Sequence, residues 1–276
     1  MATMTPTTGA VFVPEIWNKD AQMFRESRLV LANLVERYDD RVSNGGDIIR
    51  IPIISELAVQ QYTPGSDVTP QAPTETEVTL TVDQFYTSMF EIDRTLDTQS
   101  KYDLAAAYKQ SAGYALAKKI DSTLAALYAG LSNQLGTTTG MTDTLIVGGI
   151  EILDTADVPD EGRVLVIHPA AKADILLLDK FSLYINRGKD VVGTGKFGDL
   201  YGIPVYVSTN IVKVAGTPPV YKNLLFHKTA FGLAMQKNVT WTKVEAPLKF
   251  ADIYKPLAMW GVAELRDNHA VCITTA

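Results

Sequence analysis

The chain has 276 residues, 46% of them hydrophobic, which suffices for one large domain or two smaller ones around a sizeable core. Its net charge of −6 argues against electrostatic binding to nucleic acid or to an anionic membrane. The single cysteine, Cys272, excludes an intrachain disulfide framework and a multi-cysteine metal site, and fits a reducing compartment. No basic-then-apolar signal segment opens the chain, and its apolar runs are too short to span a bilayer. The expectation is a soluble protein kept in cytosol-like conditions, with no membrane partner.

Residues 1–13 are Thr-rich and without periodicity, which predicts an extended arm. Pro14 stands where a helix can begin, because its missing N–H is not needed there. Trp17, Ala21, Phe24, Leu31, Leu34, Val35 and Tyr38 then recur at helical spacing, predicting an amphipathic helix to about Tyr38. Asn44-Gly45-Gly46 turns the chain into a strand over 47–55. A second β-type segment follows, with Val78, Leu80, Val82, Tyr86, Phe90 and Ile92 on one parity and Thr79, Thr81, Asp83, Thr87, Glu91 and Asp93 on the other. Between the two lie residues 56–77, a polar connection too long for an ordinary turn and therefore functional or disordered. Its arms could reach about 35 Å from the body. A hairpin that long has nothing of its own to pack on, so its natural partner is another molecule.

From Thr98 to Leu131 the sequence lacks Pro and any long polar gap. Leu104, Tyr108, Ala112, Ala115, Leu116, Ile120, Leu124, Leu127 and Leu131 form a stripe, predicting one long helix approaching about 50 Å. Gly113 is its weak point. After a composition shift at 134–140 the pattern becomes α/β: a short helix near 149–157, a strand over 163–168, a helix from Pro169 to about Leu178, and an irregular Gly-rich stretch over 181–202. Pro204 restricts the strand at 203–208 to an edge or a strand start. Strand signals continue at 224–226, 239–244, 258–263 and 269–273.

The candidate chemistry is thin. Gly193-Thr-Gly195-Lys-Phe-Gly198 spells G-x-G-x-x-G, but the motif binds a dinucleotide only between a strand and a helix; here an irregular segment precedes it and a turn into a strand follows. A P-loop fails as well, with Asp190 at the first glycine position and Phe197 in place of Ser or Thr. His168, His227 and His269 show no paired spacing for zinc, and His168 is expected to make a local hydrogen bond. Cys272 alternates with Val271 and Ile273, which predicts a small buried hydrophobe rather than half of a Cys/His nucleophile. Tyr62, Phe85 and Tyr86 could form a stacking surface for single strands, but no Lys or Arg lies between Ile51 and Glu91; packing against a neighbouring subunit is the better reading. No catalytic, cofactor-binding or metal-binding residue is assigned.

The order of these segments, with several local runs, resembles the major capsid protein of tailed bacteriophages, the Hong-Kong-ninety-seven-type fold. The runs are Phe12-Val-Pro-Glu-Ile-Trp17, Gly46-Asp-Ile-Ile-Arg-Ile-Pro52, Tyr62-Thr-Pro-Gly65, Thr79-Leu-Thr-Val-Asp83, Leu200-Tyr-Gly-Ile-Pro-Val-Tyr-Val-Ser208 and His227-Lys-Thr-Ala-Phe-Gly-Leu-Ala-Met-Gln236. The resemblance implies an α+β fold: an N-terminal arm and helix (1–44), an extended β-hairpin loop (45–92), a peripheral domain with a long spine helix (93–135 and 246–276) and an α/β axial domain (136–245).

It further implies a structural protein without turnover, which self-assembles as pentamers and hexamers into an icosahedral shell. The shell would be assembled in the host cytoplasm and would enclose double-stranded DNA without sequence-specific binding. Expected partners are further copies of the chain, a portal, an optional decoration protein and a scaffolding protein supplied separately, since the arm begins almost at Met1. The residues leave two alternatives open: the shell of an encapsulin-type protein compartment, and a cytosolic α/β enzyme with an unrecognised site.

Overall fold

The computed structural model describes residues 30–43, 45–54, 57–65, 67, 70–72, 75–100, 103–136, 139–177 and 198–276. The expected arm, the body of the N-terminal helix and most of the G-x-G-x-x-G stretch lie outside these residues.

Where the sequence predicts helix up to Tyr38, the chain instead makes a 3-10 turn at Leu31–Asn33 and a short strand, β1 (Glu36–Arg37). The cause is a competing acceptor. The Val30 and Ala32 N–H groups donate to the carboxylate of Asp121, at 2.8 and 3.1 Å, and Tyr38 N–H donates to the Leu233 carbonyl at 2.9 Å. Leu31 and Val35 are buried as a result. One turn of helix, α1 (Asp39–Val42), precedes Gly45 and Gly46, whose φ values of 104° and 102° suit glycine alone.

The strands β2 (Ile48–Ile53) and β3 (Thr76–Thr81) then pair antiparallel over six rungs. The single strand expected from the 78–92 alternation is in fact three: β3, β4 (Gln84–Tyr86) and β5 (Phe90–Asp93). The parity is nonetheless the observed one, with Leu80, Val82 and Ile92 buried and Thr79, Thr81, Asp83, Thr87, Glu91 and Asp93 exposed. Pairing changes partner along the way, from β2 to the later strand β13 (Ala251–Glu264).

The continuous helix expected over 98–131 is also divided. Asp93 caps α2 (Arg94–Gln99) by accepting from Thr95 N–H at 2.7 Å, and Asp103 caps α3 (Leu104–Ala126) by accepting from Ala106 N–H at 2.9 Å. Two aspartate caps ten residues apart start two helices, with extended Ser100 between them. At 23 residues α3 is about 34 Å long, not 50. Ala112, Leu116, Ile120 and Leu124 line its buried face, whereas Tyr108 and Ala115 are exposed. Leu127 lies in a closing 3-10 turn, and Leu131 lies beyond it.

The remaining elements are β6 (Gln134–Gly136), α4 (Asp143–Thr155), β7 (Arg163–Ile167), α5 (Pro169–Leu177), β8 (Asp199–Leu200), β9 (Ile203–Val207), β10 (Lys213–Val214), β11 (Val220–His227), β12 (Phe231–Glu245), β13 and β14 (Ala270–Thr275). One sheet runs β1-β12-β13-β4, with β5 also on β13; the other runs β6-β14-β11-β7-β9-β8, with β10 on β11. Pro204 sits at the start of β9, ahead of its first rung with β7 at Val205, so it interrupts no ladder there.

The central strands of the second sheet, β7, β11 and β14, divide their side chains between two cores. Val164, Val166, Leu224, Phe226 and Cys272 join Leu116, Ile120, Leu124, Phe231 and Trp260 under α3. Leu165, Ile167, Leu225, Val271 and Ile273 join Ile146 and Leu153 of α4 and Ala171 and Ile175 of α5 on the opposite face. This period-two partition is what a sheet covered on both faces requires. The stripe of α3 meets β13 through Ala258 and Trp260, with Val262 at the margin; Met259, of opposite parity, is absent from that core. The sheets cut across the expected chain division at several points: β1, within 1–44, and β4, within 45–92, join the first sheet, and β6 straddles the 135/136 boundary in the second. β12, within 136–245, belongs to the first sheet, and β14, within 246–276, to the second.

Candidate assembly surface

The β2–β3 ladder is anchored at its base and bare at its end. Val82 N–H donates to the Asp47 carbonyl at 2.7 Å, and Val42, Ile49, Leu80, Val82 and Ala234 form a small core of their own. Beyond the last rung the exposed residues include large apolar ones: Ile54 is 80% exposed, Val59 100%, Leu57 and Tyr62 61% each. One specific bond shapes this region. The Gln71 side chain donates to the Ala58 carbonyl at 2.6 Å and accepts from the Ala58 N–H at 3.1 Å, as a strand neighbour would. Arg50 and Glu77, 3.3 Å apart and well exposed, add little stability. Apolar groups held out in this way lose their contact with water only when a partner covers them.

A second exposed apolar set lies at the β12–β13 turn, where Leu248 and Phe250 are 98% and 81% exposed. A charged network frames it. Arg94 contacts Asp252 at 2.7 Å and Glu245 at 2.6 Å, Lys243 contacts Asp252 at 2.8 Å, and Lys249 contacts Glu91 at 3.3 Å. The Arg94 and Lys243 donors hold the Asp252 carboxyl below its ordinary range, and Asp252 in return raises both cations.

Of the aromatic residues read as a contact surface, Tyr62 and Phe85 are exposed, but Tyr86 is not free for a neighbour. It stacks on Trp260 at 5.1 Å, with Lys119 Nζ 4.9 Å over its ring. Phe85 and Tyr86 fall on opposite faces of β4, and only Phe85 faces outward.

His168 makes the expected local bond, its Nδ1 accepting from Ala170 N–H at 3.1 Å, while its backbone N–H donates to the distant Asn223 Oδ1 at 2.8 Å. Cys272 is fully buried, and burial pushes its thiol up. Gly198 leads into β8, so a strand follows the glycine stretch. The fold brings together one pair that spacing did not suggest: His227 and His269, with ring centroids 5.8 Å apart and Thr229 between them. Asp121 was likewise missed, because a lone aspartate inside an apolar helix gives no sign of accepting backbone N–H groups 89 and 91 residues away. Among the described residues no group of three or more His, Cys, Asp or Glu could hold a metal ion, and no helix is long and apolar enough to cross a membrane.

Residues 75–248 match the family model described as phage capsid protein. Solved structures agree over nearly the whole chain. A structure of Mycobacterium phage Che8 is 25% identical, with a TM-score of 0.81, covering 95% of this chain and 97% of its own. The capsid structure of the cyanophage P-SCSP1u is 18% identical, with a TM-score of 0.80, covering 100% and 97%. The mature capsid of bacteriophage PhiM1 is 16% identical, with a TM-score of 0.76, covering 95% and 92%. No curated protein matches the chain in sequence. These likenesses favour neither the compartment shell nor the enzyme, and with the family match they establish that the chain belongs to the phage capsid protein family and is a structural capsid protein of a tailed phage.

Proposed function

We propose that the chain assembles with copies of itself, as pentamers and hexamers, into an icosahedral shell that encloses double-stranded DNA without reading its sequence. In this reading it turns over no substrate and needs no cofactor. The shell forms in the host cytoplasm with a separate scaffolding protein, and a portal and an optional decoration protein complete it. The observation that carries the reading is the β2–β3 excursion. Its base is a built ladder with a core, and its far end holds four large apolar residues between 54 and 62 away from any core of the chain. The five-stranded sheet with α3 would be the peripheral domain, taking in β12, and the seven-stranded sheet with α4 and α5 the axial domain, taking in β14.

The test is the purified chain, with and without scaffolding protein, followed by sedimentation and negative-stain imaging. Closed particles are expected from the intact chain, and none from a variant with residues 54–75 replaced by a short turn but otherwise folded. Nuclease-protected DNA in particles from infected cells separates a genome shell from a protein compartment. A chain that stays monomeric at high concentration with scaffold present overturns the proposal.

A further inference from the structure

Besides the long passage through α2 and α3, the chain crosses between its two large sheets by two short links, residues 228–230 from β11 to β12 and 265–269 from β13 to β14. The links are tied together by backbone, because the Ala230 carbonyl accepts from both Leu265 N–H at 2.8 Å and Arg266 N–H at 3.3 Å. They are also tied by side chains. Thr229 Oγ1 is 2.8 Å from His227 Nδ1 and 2.8 Å from His269 Nδ1; His227 Nε2 is 2.9 Å from the Glu161 carbonyl oxygen.

The network assigns the protons. A carbonyl oxygen can only accept, so His227 Nε2 carries hydrogen. His227 Nδ1 accepts from the Thr229 N–H at 3.3 Å, so it is bare and also takes the hydroxyl proton of Thr229. The Thr229 oxygen is then left to accept, which makes His269 the donor through Nδ1. The relay runs His269 to Thr229 to His227 to Glu161, and every contact in it is satisfied only while His227 is neutral. A proton on His227 Nδ1 sets it against the Thr229 N–H, removes the cap of the 228–230 turn, and forces the hydroxyl to reverse.

We infer that this crossing is a proton-operated lock between the two sheets, closed while His227 is neutral and opened when His227 takes up a proton. The charged groups around it reinforce that sense. Arg266 and Lys228 lie on the links themselves, and Arg163, opposite His227 across the ladder, is turned to Asp154 at 2.6 Å and Asp160 at 3.1 Å. Burial, with Arg266 and His227 adding positive charge, holds His269 below its ordinary value of 6.5. A base lowered on folding contributes stability in full above its unfolded value and loses it as pH falls from there. Glu264, raised by burial and by Asp267, has the opposite sign and gains stability as it protonates at lower pH. Asp267, on the second link, is held low by the Ser132 N–H that donates to it at 2.8 Å. Acid therefore weakens this crossing through His269, which loses stability as pH falls below its ordinary value of 6.5.

The experiment is hydrogen exchange on the full chain from pH 7.5 to 5, corrected for intrinsic rate, alongside imidazole nitrogen NMR, which has only three histidines to resolve. Expected results are an Nε2-protonated His227 at pH 7.5 and a loss of protection in 228–230 and 265–269 of about tenfold or more as the pH falls. Protection of β7 should not change. Thr229→Ser keeps the hydroxyl and should keep the step; Thr229→Val keeps only the backbone cap and should make the step clearly smaller while β7 remains protected. An Nδ1-protonated His227 at pH 7.5, no step in the wild-type chain, or the same step in Thr229→Val overturns the inference.

Discussion

At the scale of single residues, close approach and burial decide what each position tolerates. Gly113 lies inside α3 with nothing within 4 Å of where a Cβ would stand, so its missing side chain serves no contact. Gly113→Ala should raise stability by about 1 kcal/mol, the ordinary helical cost of glycine, read as a higher denaturant midpoint with unchanged slope. Gly261 is the opposite case: a Cβ there would meet the Thr81 carbonyl oxygen at 2.2 Å, where the end of β3 crosses β13. Gly261→Ala should force the two strands apart and lower the midpoint, and an unchanged midpoint would mean that the crossing is loose. Asp121 shows how one buried carboxylate sets a chain path. It accepts from Val30 and Ala32 N–H and lies 3.4 Å from Asn210 Nδ2, so it joins the incoming chain, α3 and the turn after β9. Asp121→Ala leaves two inward N–H groups without their acceptor and should cost on the order of 3 kcal/mol.

At the scale of elements, α3 joins the two large sheets, because its stripe shares one core with strands of both. Leu124 is 1% exposed at the centre of that stripe. Leu124→Asp buries a carboxylate with no cation and should destabilise the subunit by several kcal/mol; normal unfolding of this variant by denaturant would remove α3 from the core. The β2–β3 excursion should behave in the opposite way. Residues 56–77 should be cut by protease in free subunits and spared in assembled particles, and equal protection in both states would mean that they pack on their own body. Much of this was legible in the sequence because period and parity are local properties. Leu80, Val82 and Ile92 fell on one face as read, and so did Leu116, Ile120 and Leu124. Boundaries were less legible where a cap or a distant acceptor decides them: Asp103 divided one expected helix, and Asp121 stopped another from reaching Tyr38. The His227–Thr229–His269 contact had no signal at all, because it depends on two links that the sheet order brings together.

At the scale of the whole molecule, the surface is partitioned by charge as well as by polarity. No Lys or Arg occurs between Ile51 and Glu91, and the outward residues of the excursion include Glu75 and Glu77. Lysines are displayed on the spine instead, where Lys118 and Lys119 flank the buried stripe and Lys119 is partly committed to the Tyr86 ring. A second copy that lays its acidic excursion over that helix would cover the exposed apolar residues and pair opposite charges at once. Contacts of this extent should bury well over about 1,000 Å² per subunit, the scale of a specific interface. Reversal of Lys118 to Glu should leave folding within about 0.5 kcal/mol, as surface changes usually do. It should nonetheless shift assembly to higher protein concentration in sedimentation. Glu75→Lys should do the same, and the two reversals together should restore assembly toward that of the unmodified chain, because a pair exchanged in sign keeps its attraction while either single reversal sets like charges together. Additive loss in the double variant would mean that these side chains meet different neighbours, and unimpaired assembly in both single variants would place the excursion elsewhere on the adjoining subunit.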